Sequence, residues 1–186
     1  MRKHKPISKE TYGQIYKMLD AVSPFDCDCG ALCGAACCTG GDGDMGIYLL
    51  PGEEEYLKDS GDWLKWSEEN AEDYDFPSSW TGKVYFVQCK TPPHCPRERR
   101  PIQCRSYPLL PHLTRGGELS MVYCDVETPY RCPLIEEEMP LNDDFVEVTK
   151  QAWAMLIEDR RIYDLVRMDS KAREDSALEL AEKLGL

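Results

Sequence analysis

The chain has 186 residues, 42% of them hydrophobic, and a formal net charge of -12, which is enough for one ordinary domain with a modest core. That acidity excludes a surface built to grip phosphate backbones, so nucleic acid is not an expected partner. No stretch approaches the roughly 20 apolar residues of a membrane span, and Met1-Arg2-Lys3-His4-Lys5-Pro6 carries no apolar leader, so the expectation is a cytoplasmic protein with no membrane partner.

Tyr12, Ile15, Tyr16 and Leu19 fall at helical spacing between Ser8, a good cap, and Pro24, predicting a first helix over residues 8–22. Residues 27–46 are mostly Cys, Gly, Ala and Asp, too small to pack apolar faces but suited to wrapping an ion, so this reads as a binding loop with room for one helical turn. Residues 46–50 read as a short strand. Pro51-Gly52-Glu53 then opens a helix through about Trp66, followed by an acidic, aromatic-bearing loop over 68–81. The triplets Glu53-Glu54-Glu55 and Glu136-Glu137-Glu138 are expected on solvated helix ends. Val84-Tyr85-Phe86-Val87 and the segment 119–124 are the strand signals of a small antiparallel sheet, the second preceded by a Gly116-Gly117 turn. From Asp143, the apolar spacing of Phe145, Val148, Trp153 and Leu156, then Ile162, Leu165 and Val166, then Leu178, Leu180 and Leu184 predicts two or three helices over 143–184. The fold class is α+β: a small, irregular single domain over 1–186, with cysteine-rich loops over 27–132 and the C-terminal helices packed on them.

Ten cysteines fall in two bursts, Cys27, Cys29, Cys33, Cys37 and Cys38, then Cys89, Cys95, Cys104, Cys124 and Cys132. Thiolates are soft ligands that suit zinc and iron-sulfur clusters, and both need three or four converging sulfurs. Disulfides are the competing staple, but they belong to oxidising compartments. A structural metal also returns folding free energy on the order of 10 kcal/mol to a chain with a modest core. A calcium loop starting at Asp42-x-Asp44 is set aside, because Gly46 and Ile47 stand where an oxygen ligand and a glycine are needed. His94 adjoins Cys95, but neighbouring residues seldom both face one ion.

Cys33-Gly34-Ala35-Ala36-Cys37-Cys38, the stretch Ile47-Tyr48-Leu49-Leu50-Pro51-Gly52-Glu53, and Arg100-Pro101-Ile102-Gln103-Cys104-Arg105-Ser106-Tyr107-Pro108 together resemble the YkgJ-type cysteine-cluster family of zinc- or iron-chelating domains. The first loop is one residue longer than the family's usual Cys-Gly-x-Cys-Cys. The resemblance covers residues 27–132 and implies metal ligation by Cys33, Cys37, Cys38, Cys89, Cys95 and Cys104, with Cys29 and Cys132 as companions; counting four sulfurs per site leaves Cys27 and Cys124 outside the set. Eight sulfurs exceed one tetrahedral site, leaving two four-sulfur sites, a cluster plus a zinc, or a polynuclear site. Arg97, Arg99, Arg100 and Arg105 bracket Cys104 and are expected to compensate thiolate charge, and Tyr107 to pack or hydrogen-bond to sulfur. The functional expectation is a metal-binding protein holding zinc or an iron-sulfur cluster in a structural, sensing or metal-handling role. The alternatives are a cluster-dependent enzyme of redox or group-transfer type, with protein lysine methylation as the version the resemblance suggests, and a metal-stabilised interaction module.

Overall fold

Ser8 accepts a hydrogen bond from the Thr11 amide at 3.2 Å and starts helix α1, Lys9–Asp20, whose Tyr12, Ile15, Tyr16 and Leu19 are buried along one face. The computed structural model describes residues 5–39, 45–59 and 61–185; His4, Asp42 and Asp44 lie outside these. The cysteine-rich segment forms two short helical turns, α2 (Gly30–Cys33) and α3 (Ala36–Thr39). The elements that follow are β1 (Ile47–Tyr48), α4 (Glu53–Leu57), β2 (Leu64–Asn70) and β3 (Lys83–Cys89), with a 3-10 turn at Ala71–Asp73. A second 3-10 turn at Arg97–Arg99 leads into α5 (Ile102–Ser106), β4 (Leu109–Leu113), β5 (Leu119–Tyr123), α6 (Pro133–Glu136), α7 (Asp143–Leu156) and α8 (Arg160–Leu184).

This is an α+β fold with two small antiparallel sheets. In the first, β3 lies between β1 and β2, with Ile47 opposite Val87 and Trp66 also opposite Val87. In the second, β4 pairs with β5, Leu109 facing Tyr123 and Leu113 facing Leu119. The two strands expected to share one sheet, at 84–87 and 119–124, therefore belong to separate sheets. The helix expected through Trp66 stops at Leu57, and residues 64–70 form β2, so most of the expected helix end and part of the expected loop are an edge strand. Its alternation of a buried Leu64 and half-buried Trp66 with exposed Lys65 and Ser67 matches a strand on the core's margin.

One core joins α1, α4, β3, α5, α7 and α8 through Tyr16, Leu57, Val87, Ile102, Trp153, Leu156 and Ile162. A smaller one gathers Ala71, Trp80 and Val84, where Phe76 stacks on Trp80 at 4.5 Å and Trp80 Nε1 donates to the Arg161 carbonyl at 2.8 Å. The C-terminal segment is two helices, and α8 takes the place of a third strand beside β4. Ser170 Oγ accepts from the Leu113 amide at 2.8 Å, Arg167 donates to the Leu113 carbonyl at 3.0 Å, and Arg173 donates to the Pro111 carbonyl at 2.7 Å. Side chains of a helix thus satisfy a strand edge that would otherwise be open.

Among the described residues, none between Leu19 and Leu49 is buried. The chain enters and leaves the first cysteine burst on well-packed elements, yet the burst itself contributes nothing to the apolar core.

Candidate metal centre

A buried carboxylate ties together segments that flank the two cysteine bursts. Glu53, at the start of α4, is completely buried. It accepts hydrogen bonds from Tyr16 Oη at 2.6 Å, the Leu50 amide at 3.0 Å and the Ile102 amide at 2.8 Å. Burial pushes its carboxyl upward, and the three donors pull it back. The expectation that the 53–55 triplet lies on a solvated helix end is therefore corrected at Glu53. Its place after Leu49-Leu50-Pro51-Gly52 turns it inward to collect orphan amides, while Glu54 and Glu55 stay partly or fully exposed.

The Arg100–Tyr107 segment is fixed from several sides. Gln103 Nε2 donates to the Tyr48 carbonyl at 2.7 Å. Ser106 Oγ donates to the Ile102 carbonyl and receives Trp153 Nε1, both at 2.9 Å. Arg105 pairs with Asp20 at 3.1 Å, donates to the Arg97 carbonyl at 2.9 Å and lies over the Tyr16 ring at 5.5 Å. On the other side, Gly46 passes so close to β3 that a Cβ there would stand 2.3 Å from the Phe86 ring and 2.7 Å from the Val87 carbonyl oxygen. Only glycine lets the chain leave the first burst against the strand that carries Cys89.

Cys37, Cys38, Cys89, Cys95 and Cys104 line one cavity of about 300 Å³, together with Arg100, Tyr107 and Tyr130, and Ile47, Leu64 and Val87 form part of its apolar wall. Cys37 and Cys38 shift each other's acidity in opposite directions, as do Cys89 and Cys95. Arg100 Nε donates to Cys95 Sγ at 2.9 Å. With the Cys89 thiol and the guanidinium on its sulfur, Cys95 falls to about 6, and Cys38, beside the Cys37 thiol and Arg100, to about 7. Their partners Cys37 and Cys89 are pushed up by the same contacts and by burial. Cys104 is reached by solvent through the cavity yet is closely ringed by protein, and this desolvation, with the charges of Cys38, Glu53 and Cys95 nearby, pushes it up to about 12.

Cys29, Cys33 and Cys132 do not line this cavity. Cys29 is raised by burial and by Asp28, Cys33 and Cys132, and Cys37 feels both Cys29 and Cys33. All eight cysteines expected as ligands thus belong to one chain of neighbours. Cys27 is exposed. Cys124 is buried at the end of β5, near Val126 and Arg173, and does not line the cavity. All ten are free thiols. Among the described residues, no three Cys, His, Asp or Glu side chains are already gathered at ligand geometry, so the arrangement is a set of adjoining thiols and not a finished coordination polyhedron. Arg100 alone of the four arginines touches sulfur: Arg97 donates to the Val22 carbonyl at 3.3 Å and Arg99 lies 5.3 Å from the Tyr56 ring centre.

The donor chemistry fits a thiophilic metal or cluster, and one polar atom agrees with it. Tyr107 Oη is buried without a hydrogen-bond partner, beside Tyr130 and Cys132, where a thiolate would satisfy it. Tyr130 was not singled out from the sequence, because it lies in a loop between cysteines with no periodicity to mark it. Comparison with family models, curated proteins and solved structures returns no match to this chain, so the resemblance to the YkgJ-type family rests on the motifs quoted above.

Proposed function

We propose that the protein is a metal-binding protein that holds zinc or an iron-sulfur cluster through Cys29, Cys33, Cys37, Cys38, Cys89, Cys95, Cys104 and Cys132, as the YkgJ-type motifs imply, and that the metal's first role is structural. The observation that carries this reading is the conjunction of two facts. Thiols from segments about fifty residues or more apart share one cavity wall, and the stretch 20–48, which supplies half of the ligand set, has no buried described residue of its own. A metal would give that stretch the cohesion its side chains do not. Arg100 would offset part of the accumulated thiolate charge.

A second reading, a cluster-dependent enzyme, is favoured by the size of the cavity. About 300 Å³ with an apolar wall is the lower end of small-molecule sites and leaves room for a substrate beside the sulfurs.

The test is iron, zinc and acid-labile sulfide content per chain, on protein purified without air. Zinc without sulfide supports the structural reading, and iron with stoichiometric sulfide moves weight to the cluster and to chemistry. Protein that is folded and free of both metals overturns the proposal.

A further inference from the structure

The first sheet ends on an edge whose backbone is open. At the two ends of the β2–β3 ladder the Lys90 amide donates to the Trp63 carbonyl at 3.0 Å and the Ala71 amide to the Gly82 carbonyl at 2.8 Å, with Leu64 opposite Cys89 and Asn70 opposite Lys83 between them. Bonded and non-bonded residues alternate along an antiparallel ladder. Lys65, Ser67 and Glu69 therefore turn their amides and carbonyls toward β3, and Leu64, Trp66, Glu68 and Asn70 turn theirs away from it. Among the described residues no hydrogen bond reaches these outward groups, and Lys65, Ser67, Glu68 and Asn70 are exposed. Strand β4 has side chains of α8 over its edge, whereas β2 has no such cover. A strand of 7 residues left in this way is a template for another strand.

We infer that the occupant is β2 of a second copy of this chain, running antiparallel about a two-fold axis at Ser67, so that two three-stranded sheets become one continuous sheet. The charges along the strand select the register. An axis at Ser67 sets Leu64 opposite Asn70 of the second copy and Trp66 opposite its Glu68 as bonded pairs, which is what the outward-turned groups require. It sets Lys65 opposite Glu69 as a non-bonded pair, where side chains come closest, and symmetry repeats that pair. Lys65 has no ion pair among the described residues, and Glu69 is held in place by Tyr48 Oη at 2.6 Å and Ser67 Oγ at 2.9 Å. An axis at Glu68 would bring Glu68 against Glu68, an axis at Lys65 would bring Lys65 against Lys65, and an axis at Trp66 would leave Lys65 facing Ser67. With the axis at Ser67, the two half-buried Trp66 side chains become diagonal neighbours within aromatic reach, each beside the Tyr85 ring that it already meets edge-on at 6.2 Å. No cysteine takes part, so the pairing is independent of the metal.

The experiment is sedimentation velocity of the full chain over a range of concentrations under reducing conditions, for the parent, Glu68→Pro and Lys65→Glu. The parent is expected to pass from monomer to dimer as concentration rises. Proline at position 68 removes an outward N–H and leaves the ladder with β3 whole, so Glu68→Pro is expected to be a folded monomer. Lys65→Glu sets like charges opposite each other at both symmetry-related pairs and is expected to weaken the dimer about tenfold. A parent that stays monomeric up to about 1 mM, or a dimer that Glu68→Pro leaves intact, overturns the proposal. A dimer that Glu68→Pro abolishes but Lys65→Glu leaves unmoved overturns the register. Should Glu68→Pro not fold, amide hydrogen exchange of the parent decides. The Trp66 and Glu68 amides are expected to slow by about tenfold or more between dilute and concentrated protein, and equal rates at both concentrations refute the pairing.

Discussion

Glu53→Gln is the sharpest test of how the two cysteine bursts are joined. The carboxylate offers only acceptors to three donors, Tyr16 Oη, the Leu50 amide and the Ile102 amide. A glutamine of the same shape keeps one oxygen, which can still serve Tyr16 and Ile102, but turns an NH2 group toward the Leu50 amide. One charge-assisted bond is lost and two donors oppose each other in a site with no access to water, a cost of about 2–3 kcal/mol. For a domain of this length that corresponds to a fall of about 4–12 °C in melting temperature. Tyr16→Phe removes one donor and leaves the carboxylate two others, costing about 1 kcal/mol. Because both variants act on one oxygen pair, their effects combine non-additively by about 0.5 kcal/mol or more. The assay is thermal unfolding followed by circular dichroism for the parent, both single variants and the double variant. A Glu53→Gln protein that melts within a degree of the parent refutes the idea that this carboxylate holds Ile102, and with it Cys104, against α1.

Ser106→Ala leaves the buried Trp153 indole N–H without its acceptor and is expected to cost about 1–3 kcal/mol, read as a lowered denaturant midpoint with unchanged slope; an unchanged midpoint speaks against the contact. In metal-free protein, the Cys89 thiol and the Arg100 guanidinium that lower Cys95 to about 6 keep it a thiolate above that pH. Its alkylation, followed by peptide mass spectrometry, should lose half its rate near pH 6, whereas an ordinary thiol loses it near 9. Replacing Arg100 by glutamine moves the midpoint upward by about one pH unit, and an unmoved midpoint rules out the guanidinium's part. Removal of metal by a chelator should raise amide hydrogen exchange across residues 22–39 by at least tenfold while β3 and its partner β2 keep their protection; equal changes in both regions contradict a local structural role.

The elements that could be read from sequence are those whose packing repeats along the chain. Tyr12, Ile15, Tyr16 and Leu19 in α1, and Phe145, Trp153 and Leu156 in α7, show their buried faces at helical spacing because one side of a helix meets one core. Strand β2 escaped, since Ser67, Glu68 and Glu69 occupy an edge where half of the side chains face water and the local preference is not for strand. Strand β4 escaped because Pro108 and Pro111 argue against a ladder. Pro111 is tolerated at the edge beside α8, where Arg173 takes its carbonyl. At the candidate centre, the spacing of the cysteines does not say which of them share a cavity wall, as Cys37, Cys38, Cys89, Cys95 and Cys104 do. Which sulfur faces which depends on left-handed backbone at Gly34 and Ala35 and on contacts between segments far apart in sequence. Glu53 was misjudged for the same reason: its burial is decided by Tyr16 and Ile102, 37 and 49 positions away.

The long reach of these contacts also sets an order of events during synthesis. The first cysteine burst leaves the ribosome well before the strand, helix and indole that will enclose its neighbours. Trp153, which steadies the α5 segment through Ser106, is made about 115 residues after Cys38, a delay of roughly 5–25 s at ordinary elongation rates. During that interval the nascent chain presents five closely spaced thiols with nothing folded around them.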